Sequence, residues 1–501
     1  MRFWKLSATA SAFVTAALIV VACAPAATPT TVPVKLPAAA PVVATKPAEA
    51  PKPADAPKLA DAPKPAEATK PAEAAKPTEA AKPVDAAKPA TAVKPGSTKL
   101  SFLGVQSPTN QAAWNAILKE YQKTNPNIDI EWDLVPFAQV FPKVSATVAA
   151  KTPVDIIQAD GPVVWFYAYN KAILPLDEYF PKDYVEKNFA PTSLATSAYR
   201  GKFYAPPMSE SCSTMWFNQE MVDAAGIKPP RELAQSWNMD DALAAWQKTN
   251  NPPQVYGLRW GQGTFLGDYE YGIFRRSAGA KGSITYKGVQ DDGVTVTGSF
   301  DSPEAIMAHQ FVRDLFQKSK VSAVEPIPDA FLNKRAAFYV APDGVIGQIK
   351  RQYPDNSFKY GATGTPFFKG GTQLCHTDSF HYSVGAYSAN QKAAAEFIKF
   401  ASGPEGSKIY YANTQALPAH LSLLGTLPEY TTYPQSLTLE VFRAAGIPRI
   451  QTPGYNEYQQ MFSEFVQNIA TGQNVDVPEL AKATAKRMDG AMGRYKGWNT
   501  Q

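Results

Sequence analysis

Carboxylates and aromatic rings beside polar residues are the side chains of this sequence best suited to bind a small polar molecule. Residues 99–501 hold 55 aromatic side chains. Such rings cover the apolar face of a sugar, while carboxylates and amides accept hydrogen bonds from its hydroxyl groups. We predict that Asp160 and Glu210 accept hydroxyl hydrogen bonds, and that Trp260 and Tyr455 act as stacking platforms.

Other chemistries for these residues remain as alternatives. An anionic ligand favours arginine clusters, and Arg275-Arg276 is the only adjacent arginine pair, so an acidic ligand is the second choice. Two carboxylates about 5 to 9.5 Å apart would allow glycoside hydrolysis, and the sequence leaves Asp160 and Glu210 open to that role. The sequence contains no serine-centred elbow, zinc-binding helix or phosphate loop.

The stretch from Cys375 to Asp378, together with His381, is the candidate metal site. His376 and Asp378 would share one face of a strand, but no third ligand stands at a diagnostic spacing. Four histidines in the whole chain leave little for histidine-based acid-base catalysis. We therefore expect no metal, no cofactor and no catalytic residue.

The predicted elements place several polar residues at one edge of a parallel sheet. Short apolar strands are predicted at 99–105, 128–132 and 154–157, with helices between them. This alternation implies an α/β fold with right-handed crossovers. Ligands bind such sheets beyond the carboxyl ends of the strands. The residues that follow the first and third strands are therefore candidate ligand contacts: Gln106, Ser107, Asn110 and Asp160.

The amino terminus has the pattern of a secretion leader. Arg2 and Lys5 precede an apolar stretch of small residues that ends in Ala22-Cys23. The pattern resembles a bacterial lipoprotein signal peptide, residues 1–22, after which the cysteine becomes the lipidated first residue. We expect lipid on Cys23 to hold the protein on the outer side of the cell membrane. An ordinary secretory signal is the alternative.

Residues 23–98 form a low-complexity segment. A lysine recurs every six residues from Lys46 to Lys94, and proline follows all but one of these lysines. The segment has no aromatic residue and cannot bury enough apolar surface to offset the entropy of ordering, so we predict a disordered tether. Residues 99–501 carry 37 basic and 37 acidic side chains. This neutrality argues against a nucleic-acid partner.

Short blocks along residues 99–501 match one known family in order. The most specific are FLNKRAAF at 331–338 and KAAAEFIKFASG at 392–403. The earlier blocks are VDII at 154–157, AILPLD at 172–177, YRGKFYAPP at 199–207 and SWNMD at 236–240. The pattern resembles the extracellular solute-binding proteins of ABC importers, the group that contains maltodextrin-binding proteins. Asn333, where glycine is usual, and extra residues before Trp237 are departures.

The resemblance implies a periplasmic-binding-protein-like fold, with two α/β lobes joined by three crossings and the ligand held in the cleft between them. It implies lobe 1 at residues 99–206 and 384–430, and lobe 2 at residues 212–380 and 435–501. The crossings are expected near Pro207, Phe380 and Leu427. The second lobe is expected to add further ligand contacts: Asp343, Gly344, Gly371 and Asp378.

The resemblance also implies a function. We expect a lipid-anchored, extracellular or periplasmic binding protein that captures a carbohydrate by hinge closure and delivers it to the transmembrane subunits of an ABC permease. We expect a monomer and no nucleic acid. The alternatives are a tethered glycan hydrolase and a solute-binding sensor component. Whether Cys212 and Cys375 pair is left open, as are the identity, length and linkage of the ligand.

Overall fold

The computed structural model describes residues 97–260, 267–377 and 380–499. The predicted leader, Cys23 and nearly all of the predicted tether lie outside the described residues. The strands, in chain order, are β1 (Thr98–Val105), β2 (Ile128–Val135), β3 (Ile156–Asp160), β4 (Ala198–Tyr199), β5 (Lys202–Phe203), β6 (Thr214–Asn218), β7 (Tyr256–Arg259), β8 (Ala336–Ala341), β9 (Tyr360–Thr363), β10 (Cys375–His376), β11 (Phe380–Val384) and β12 (Gly446–Ile447).

The helices surround these strands. In chain order they are α1 (Pro108–Tyr121), α2 (Phe137–Ala149), α3 (Val163–Tyr169), α4 (Lys182–Asn188), α5 (Pro191–Ser197), α6 (Gln219–Ala224), α7 (Met239–Thr249), α8 (Gly272–Ser277), α9 (Ile284–Lys287), α10 (Pro303–Gln317), α11 (Gly344–Gln352), α12 (Gln391–Ser402), α13 (Pro404–Thr414), α14 (Leu421–Leu424), α15 (Gln435–Ala445), α16 (Tyr455–Thr471) and α17 (Val477–Met492). A π-helical turn, Gly267–Tyr271, precedes α8. No helix in the described ranges is long and apolar enough to cross a membrane.

The first four-stranded sheet has the order β11-β3-β1-β2. Strand β1 pairs in parallel with both β2 and β3, as the sequence predicts, and β11 is antiparallel to β3. The third strand ends later than predicted, because pairing with β11 carries it as far as Asp160, which lies opposite Phe380. Asp160 is thus the last residue of β3 and does not lie in the turn after it.

The helix after β1 forms for the reasons visible in the sequence. Ser107 accepts a hydrogen bond from the backbone N–H of Asn110 at 3.3 Å and caps the helix, and Pro108 occupies the first turn. Its apolar face is buried, with the ring of Trp114 lying 4.7 Å from the ring of Phe102 in β1. Helix α1 is therefore anchored on the sheet at the edge where ligand contacts were predicted.

The second four-stranded sheet has the order β7-β8-β6-β9. Strands β7 and β8 are parallel, whereas β6 is antiparallel to both β8 and β9. All five residues of β6 are buried, and the indole N–H of Trp216 donates to the carbonyl of Ala341 at 2.9 Å. This strand is central because apolar residues cover both of its faces.

Two chain segments run side by side between the sheets. Pro207 pairs with His381, and the backbone N–H of Met208 donates to the carbonyl of Phe380 at 2.8 Å. A disulfide joins Cys212 to Cys375, with 5.3 Å between their Cα atoms. The first segment is thereby tied to β10. The residue limits of the two lobes and the third crossing near Leu427 stay predictions.

Candidate functional site

Asp160 and Tyr455 come together around an arginine that the sequence analysis did not select. Arg449, which follows β12, donates from Nη1 to Asp160 Oδ2 at 2.9 Å and from Nη2 to the other carboxylate oxygen. The same Nη1 donates to the Tyr455 hydroxyl at 3.1 Å. Both charged side chains are almost fully buried. Arg449, through its ion pair with Asp160 and its hydrogen bond to Tyr455, thus joins the carboxyl end of β3 to the start of α16.

The hydrogen bonds continue beyond Tyr455. Its hydroxyl donates to Asp268 Oδ2 at 3.1 Å, and the Tyr458 hydroxyl donates to Asp268 Oδ1 at 3.0 Å. Arg275 donates to the Tyr458 hydroxyl at 3.1 Å and to the carbonyl of Ser299 at 3.2 Å. We call the following residues the polar cluster: Asp160, Asp268, Arg275, Arg449, Tyr455 and Tyr458.

His376 and Arg276 lie beside the polar cluster. Burial first, and then the neighbouring Arg276 and Arg449, hold the pKa of His376 well below its ordinary value, so its ring is neutral. Its Nδ1 lies 3.1 Å from the carbonyl of Tyr269, which sets Nδ1 as the donor and leaves Nε2 to accept from Arg276. Burial also lowers the pKa of Arg276 to about 10, which leaves this side chain charged at neutral pH.

A groove of about 560 Å³ lies between helices α2 and α16. Pockets of ~300–1,000 Å³ are the common size for ligand sites. We call it the α2–α16 groove. Its described lining residues are Ala138, Phe141, Pro142, Ser145, Asn456, Gln459, Gln460, Ser463, Glu464 and Gln467.

Three candidate residues near the first strand lie at the start of α1. Gln106 is exposed, and its backbone N–H donates to the carbonyl of Val135 at 2.7 Å. Ser107 and Asn110 are half-buried and bond to one another in the helix cap. Their observed role is to begin α1, and their ligand contacts stay predictions.

Glu210 lies in the segment that runs beside β11. It is buried, accepts a hydrogen bond from Ser193 Oγ in α5, and its backbone N–H donates to the carbonyl of Leu417 at 2.7 Å. These contacts belong to the junction between the sheets. A contact from Glu210 to ligand stays a prediction.

Trp260 is buried at the end of β7. Tyr271 stacks on its indole with the ring centres 4.6 Å apart and the planes at 7°, and Phe274 lies 4.3 Å away. Protein side chains therefore occupy this ring surface, and the packing favours a core role over a stacking platform. Tyr455 is also fully buried, and it takes part in the polar cluster through the hydrogen bonds of its hydroxyl group.

Asp343 and Gly344 lie where β8 passes into α11. Asp343 is buried and accepts hydrogen bonds from Thr438 at 3.0 Å and Tyr430 at 3.3 Å. Burial raises its pKa to about 7, which the two hydrogen bonds partly oppose. Gly344 is half-buried, and a Cβ there would have open space.

Gly371 packs against the carboxyl end of α8. A Cβ at this position would come within 2.0 Å of the carbonyl oxygen of Ser277, so only glycine allows the approach. Asp378 lies outside the described residues. Within the described ranges, no group of three or more His, Cys, Asp or Glu side chains is placed to hold a metal ion.

Comparison with known proteins decides the family. Residues 106–408, more than half of the chain, match the family described as Bacterial extracellular solute-binding protein. The chain belongs to this family. Its α/β fold, of the periplasmic-binding-protein type, was predicted from the sequence and is confirmed.

The relatives compared with this solute-binding protein share about a fifth of its residues. A "Probable ABC transporter-binding protein" of Deinococcus radiodurans is 21% identical over 70% of this chain and 81% of its own length. An ABC transporter solute-binding protein from Thermotoga lettingae, solved with α-D-tagatose, has a TM-score of 0.69 and 20% identity over 79% of this chain and all of its own. UgpB from Mycobacterium tuberculosis, solved with glycerophosphocholine, has a TM-score of 0.64 and 19% identity over 80% of this chain and 99% of its own. These matches indicate an extracellular binding protein of the ABC-transporter type and no enzyme family.

The site of this solute-binding protein includes residues that sequence reasoning missed. Arg449 and Asp268 pair with predicted residues, yet neither follows a strand of the first sheet nor belongs to a family block identified in the sequence. Arg275 was noted only as half of an arginine pair. The one sequence signal for Arg449 was its position shortly before Tyr455, which was itself a candidate.

Proposed function

We propose that this chain captures a carbohydrate beside the polar cluster by closure of its two lobes and delivers it to the transmembrane subunits of an ABC permease. The polar cluster carries the proposal. Asp160 from the first sheet meets Arg449 and Tyr455 from the chain after β12 there. A ligand at this place would therefore contact both the first sheet and the chain after β12. Carboxylate, guanidinium and phenol groups together suit the donors and acceptors of a polyol.

The location proposed for this function is the outer side of the membrane. A lipid on Cys23, followed by the proline-rich residues to 98, would tether a monomeric solute-binding protein within reach of its permease. The cysteine motif after a short apolar leader supports this part of the proposal. Mass spectrometry of membrane-extracted protein should show a diacylglyceryl group on Cys23, and Cys23→Ser should release the chain from membranes.

A phosphodiester ligand is the second candidate. UgpB, which has this fold, was solved with glycerophosphocholine, and the region of the polar cluster contains Arg275, Arg276 and Arg449 against two carboxylates. However, Arg276 donates to the carbonyls of Tyr286 and Pro448, both at 2.8 Å, and Arg275 donates to Ser299. Because these two arginines are held by protein groups, we favour a neutral sugar.

A thermal-shift panel tests the proposal. The chain without its leader and Cys23, residues 24–501, is heated with mono- and oligosaccharides, polyols, phosphorylated sugars and glycerophosphodiesters. A ligand at 100 times its Kd adds about 2.7 kcal/mol to the free energy of unfolding. A shift with one neutral sugar class, and no breakdown of that sugar, supports the proposal. A shift only with phosphodiesters favours the second candidate, and product release that Glu210→Gln abolishes favours a hydrolase.

A further inference from the structure

We propose that residues 493–498, near the carboxyl terminus, form a strap that holds helix α3 and strand β4 to the chain after β12 and so sets the balance between arrangements of the two lobes. We call this segment the carboxyl-terminal strap. The proposal rests on the proposed function, because it concerns the hinge motion by which a ligand would be enclosed. Aromatic rings of the strap contact α3 and β4, and its polar groups hold it to elements later in the chain.

Trp498 makes the main contact with α3 and β4. Its ring centre lies 4.9 Å from that of Trp165 in α3. It also stacks on Tyr199 in β4, with the ring centres 5.7 Å apart and the planes at 26°. Tyr495 of the strap meets Tyr169 of α3 edge to face at 5.1 Å. Aromatic pairs at such distances attract one another beyond the area that they bury. Two rings of the strap therefore hold three rings of α3 and β4.

The indole nitrogen of Trp498 fixes the strap to the turn at residues 290–295. Its N–H donates to the carbonyl of Asp292 at 3.0 Å. Gly293 follows Asp292 with a φ of +71°, and a Cβ there would come within 3.0 Å of Trp498 Nε1. A glycine suits both this backbone conformation and the close approach of the indole. Trp498 thus contacts α3 and β4 through its ring and this turn through its N–H group.

A second attachment joins the strap to the first turn of α16. The Tyr495 hydroxyl donates to Glu457 Oε1 at 3.0 Å. Arg494 forms an ion pair with the same carboxylate and also donates to the Tyr495 hydroxyl at 2.7 Å. Because this carboxylate accepts from two neighbouring strap residues, it fixes the strap on α16.

The two groups of contacts fall on opposite sides of the predicted lobe boundary. The aromatic partners of the strap all lie within residues 99–206, part of predicted lobe 1. Asp292, Glu457 and the strap itself lie in predicted lobe 2. A hinge motion moves the lobes relative to one another, so it must change the ring contacts while the hydrogen bonds within lobe 2 persist.

The strap is separate from the proposed ligand site. Residues 493–498 are not among the polar cluster or the described lining of the α2–α16 groove. Contacts that are made in one arrangement and lost in another favour the first arrangement. The apparent Kd of a ligand varies inversely with the population of the arrangement that binds it. Trp498 therefore influences ligand affinity without touching the ligand.

A distance measurement between two spin labels in ligand-free residues 24–501, which lack Cys23, tests the proposal. Nitroxide labels are attached through Lys119→Cys in α1 and Lys248→Cys in α7, which are exposed positions in predicted lobes 1 and 2. Cys212 and Cys375 are bonded to one another. In Trp498→Ala, the odds of the main wild-type distance against all others should fall by about tenfold. Trp498→Phe keeps a ring and should stay within about threefold of wild type.

Trp237→Ala is the matched control. Trp237 is half-buried like Trp498, but it packs on Phe338 of β8, inside predicted lobe 2. Its distance distribution should equal that of the wild type, and circular dichroism should show every variant folded. An unchanged distribution in Trp498→Ala, or an equal change in Trp237→Ala, overturns the proposal and leaves ligand binding unaffected. Failure of the proposed hinge closure would show separately, as a wild-type distribution that no stabilising ligand of the thermal-shift panel alters.

Discussion

Asp160, Glu210 and Asp343 are three buried carboxylates in three different surroundings. Arg449 neutralises Asp160 from a position 289 residues away in the chain. Glu210 accepts a hydrogen bond from Ser193. Among the described residues, Asp343 has two hydroxyl donors and no salt-bridge partner, and its Oδ1 has no hydrogen-bond partner. The same residue type therefore forms an ion pair at one site and resists ionisation at another.

Loss of Arg449 should destabilise the fold strongly. Arg449→Met leaves the buried Asp160 unpaired and should cost about 3–5 kcal/mol in the free energy of unfolding. The double variant Asp160→Asn with Arg449→Met should recover much of this loss. Arg487→Met, which breaks the exposed pair with Glu464, is the control and should cost under ~1 kcal/mol. Urea denaturation measures each value, and equal costs for the two arginines would contradict the assignment.

Asp343 should make stability depend on pH near neutrality. Its folded pKa, about 7, lies above its ordinary value of 3.8, so between these two pH values the native state holds a proton that the unfolded chain releases. Stability contributed by this group is present at low pH and is lost as pH rises through about 7. Asp343→Asn should remove that loss and make the protein more stable than wild type at pH 8.

Denaturation midpoints between about pH 4 and 8 check the Asp343 prediction. Asp355→Asn is the control, because Asp355 is exposed and its hydrogen bonds with Ser357 lower its pKa, which gives the opposite pH dependence. A parallel pH profile for wild type and Asp343→Asn would show that this carboxyl does not titrate in the fold.

At the scale of elements, the disulfide ties a segment between the sheets to the ribbon formed by β10 and β12. Cys375 opens β10, and His376 in the same strand pairs with Ile447 of β12. Two residues later in the chain Arg449 reaches Asp160. The disulfide therefore supports the backbone segment that carries Arg449, one partner of the buried ion pair.

Removal of this disulfide should destabilise the protein by about 2–5 kcal/mol, because the unfolded chain gains freedom when a long loop is released. Cys212→Ala with Cys375→Ala, or reduction of the wild type, should lower the urea midpoint. Thiol titration of residues 24–501, which lack Cys23, under denaturing, non-reducing conditions checks the pairing. Two free thiols in that titration would show that the bond does not form.

At the scale of the whole molecule, polar and aromatic contacts join the first sheet and the elements that follow its strands to the chain after β12. Asp160 pairs with Arg449, and Trp165 of α3 lies 4.9 Å from Trp498 near the carboxyl terminus. Trp498 also stacks on Tyr199 of β4 at 5.7 Å. A hinge motion would have to break or shift such contacts, so their strength sets how readily the molecule opens.

Arg449→Met should therefore expand the ligand-free protein. Without the ion pair the first sheet and the chain after β12 lose a buried polar contact, and we expect a larger radius of gyration in small-angle X-ray scattering. A saturating ligand from the thermal-shift panel should restore the compact value. Arg487→Met should scatter like wild type. An unchanged radius of gyration for Arg449→Met would show that this ion pair does not hold the first sheet and the chain after β12 together.

The sequence alone determined the α/β class, the parallel pairing of the first three strands and the helices between them, because these depend on local periodicity and on residues close in the chain. It also determined the neutral charge of residues 99–501. Only the tertiary structure decided the extension of β3 through Asp160, the Cys212–Cys375 bond and the partner of Asp160. Those features join segments that are 163 to 289 residues apart, and no local sequence pattern predicts such contacts.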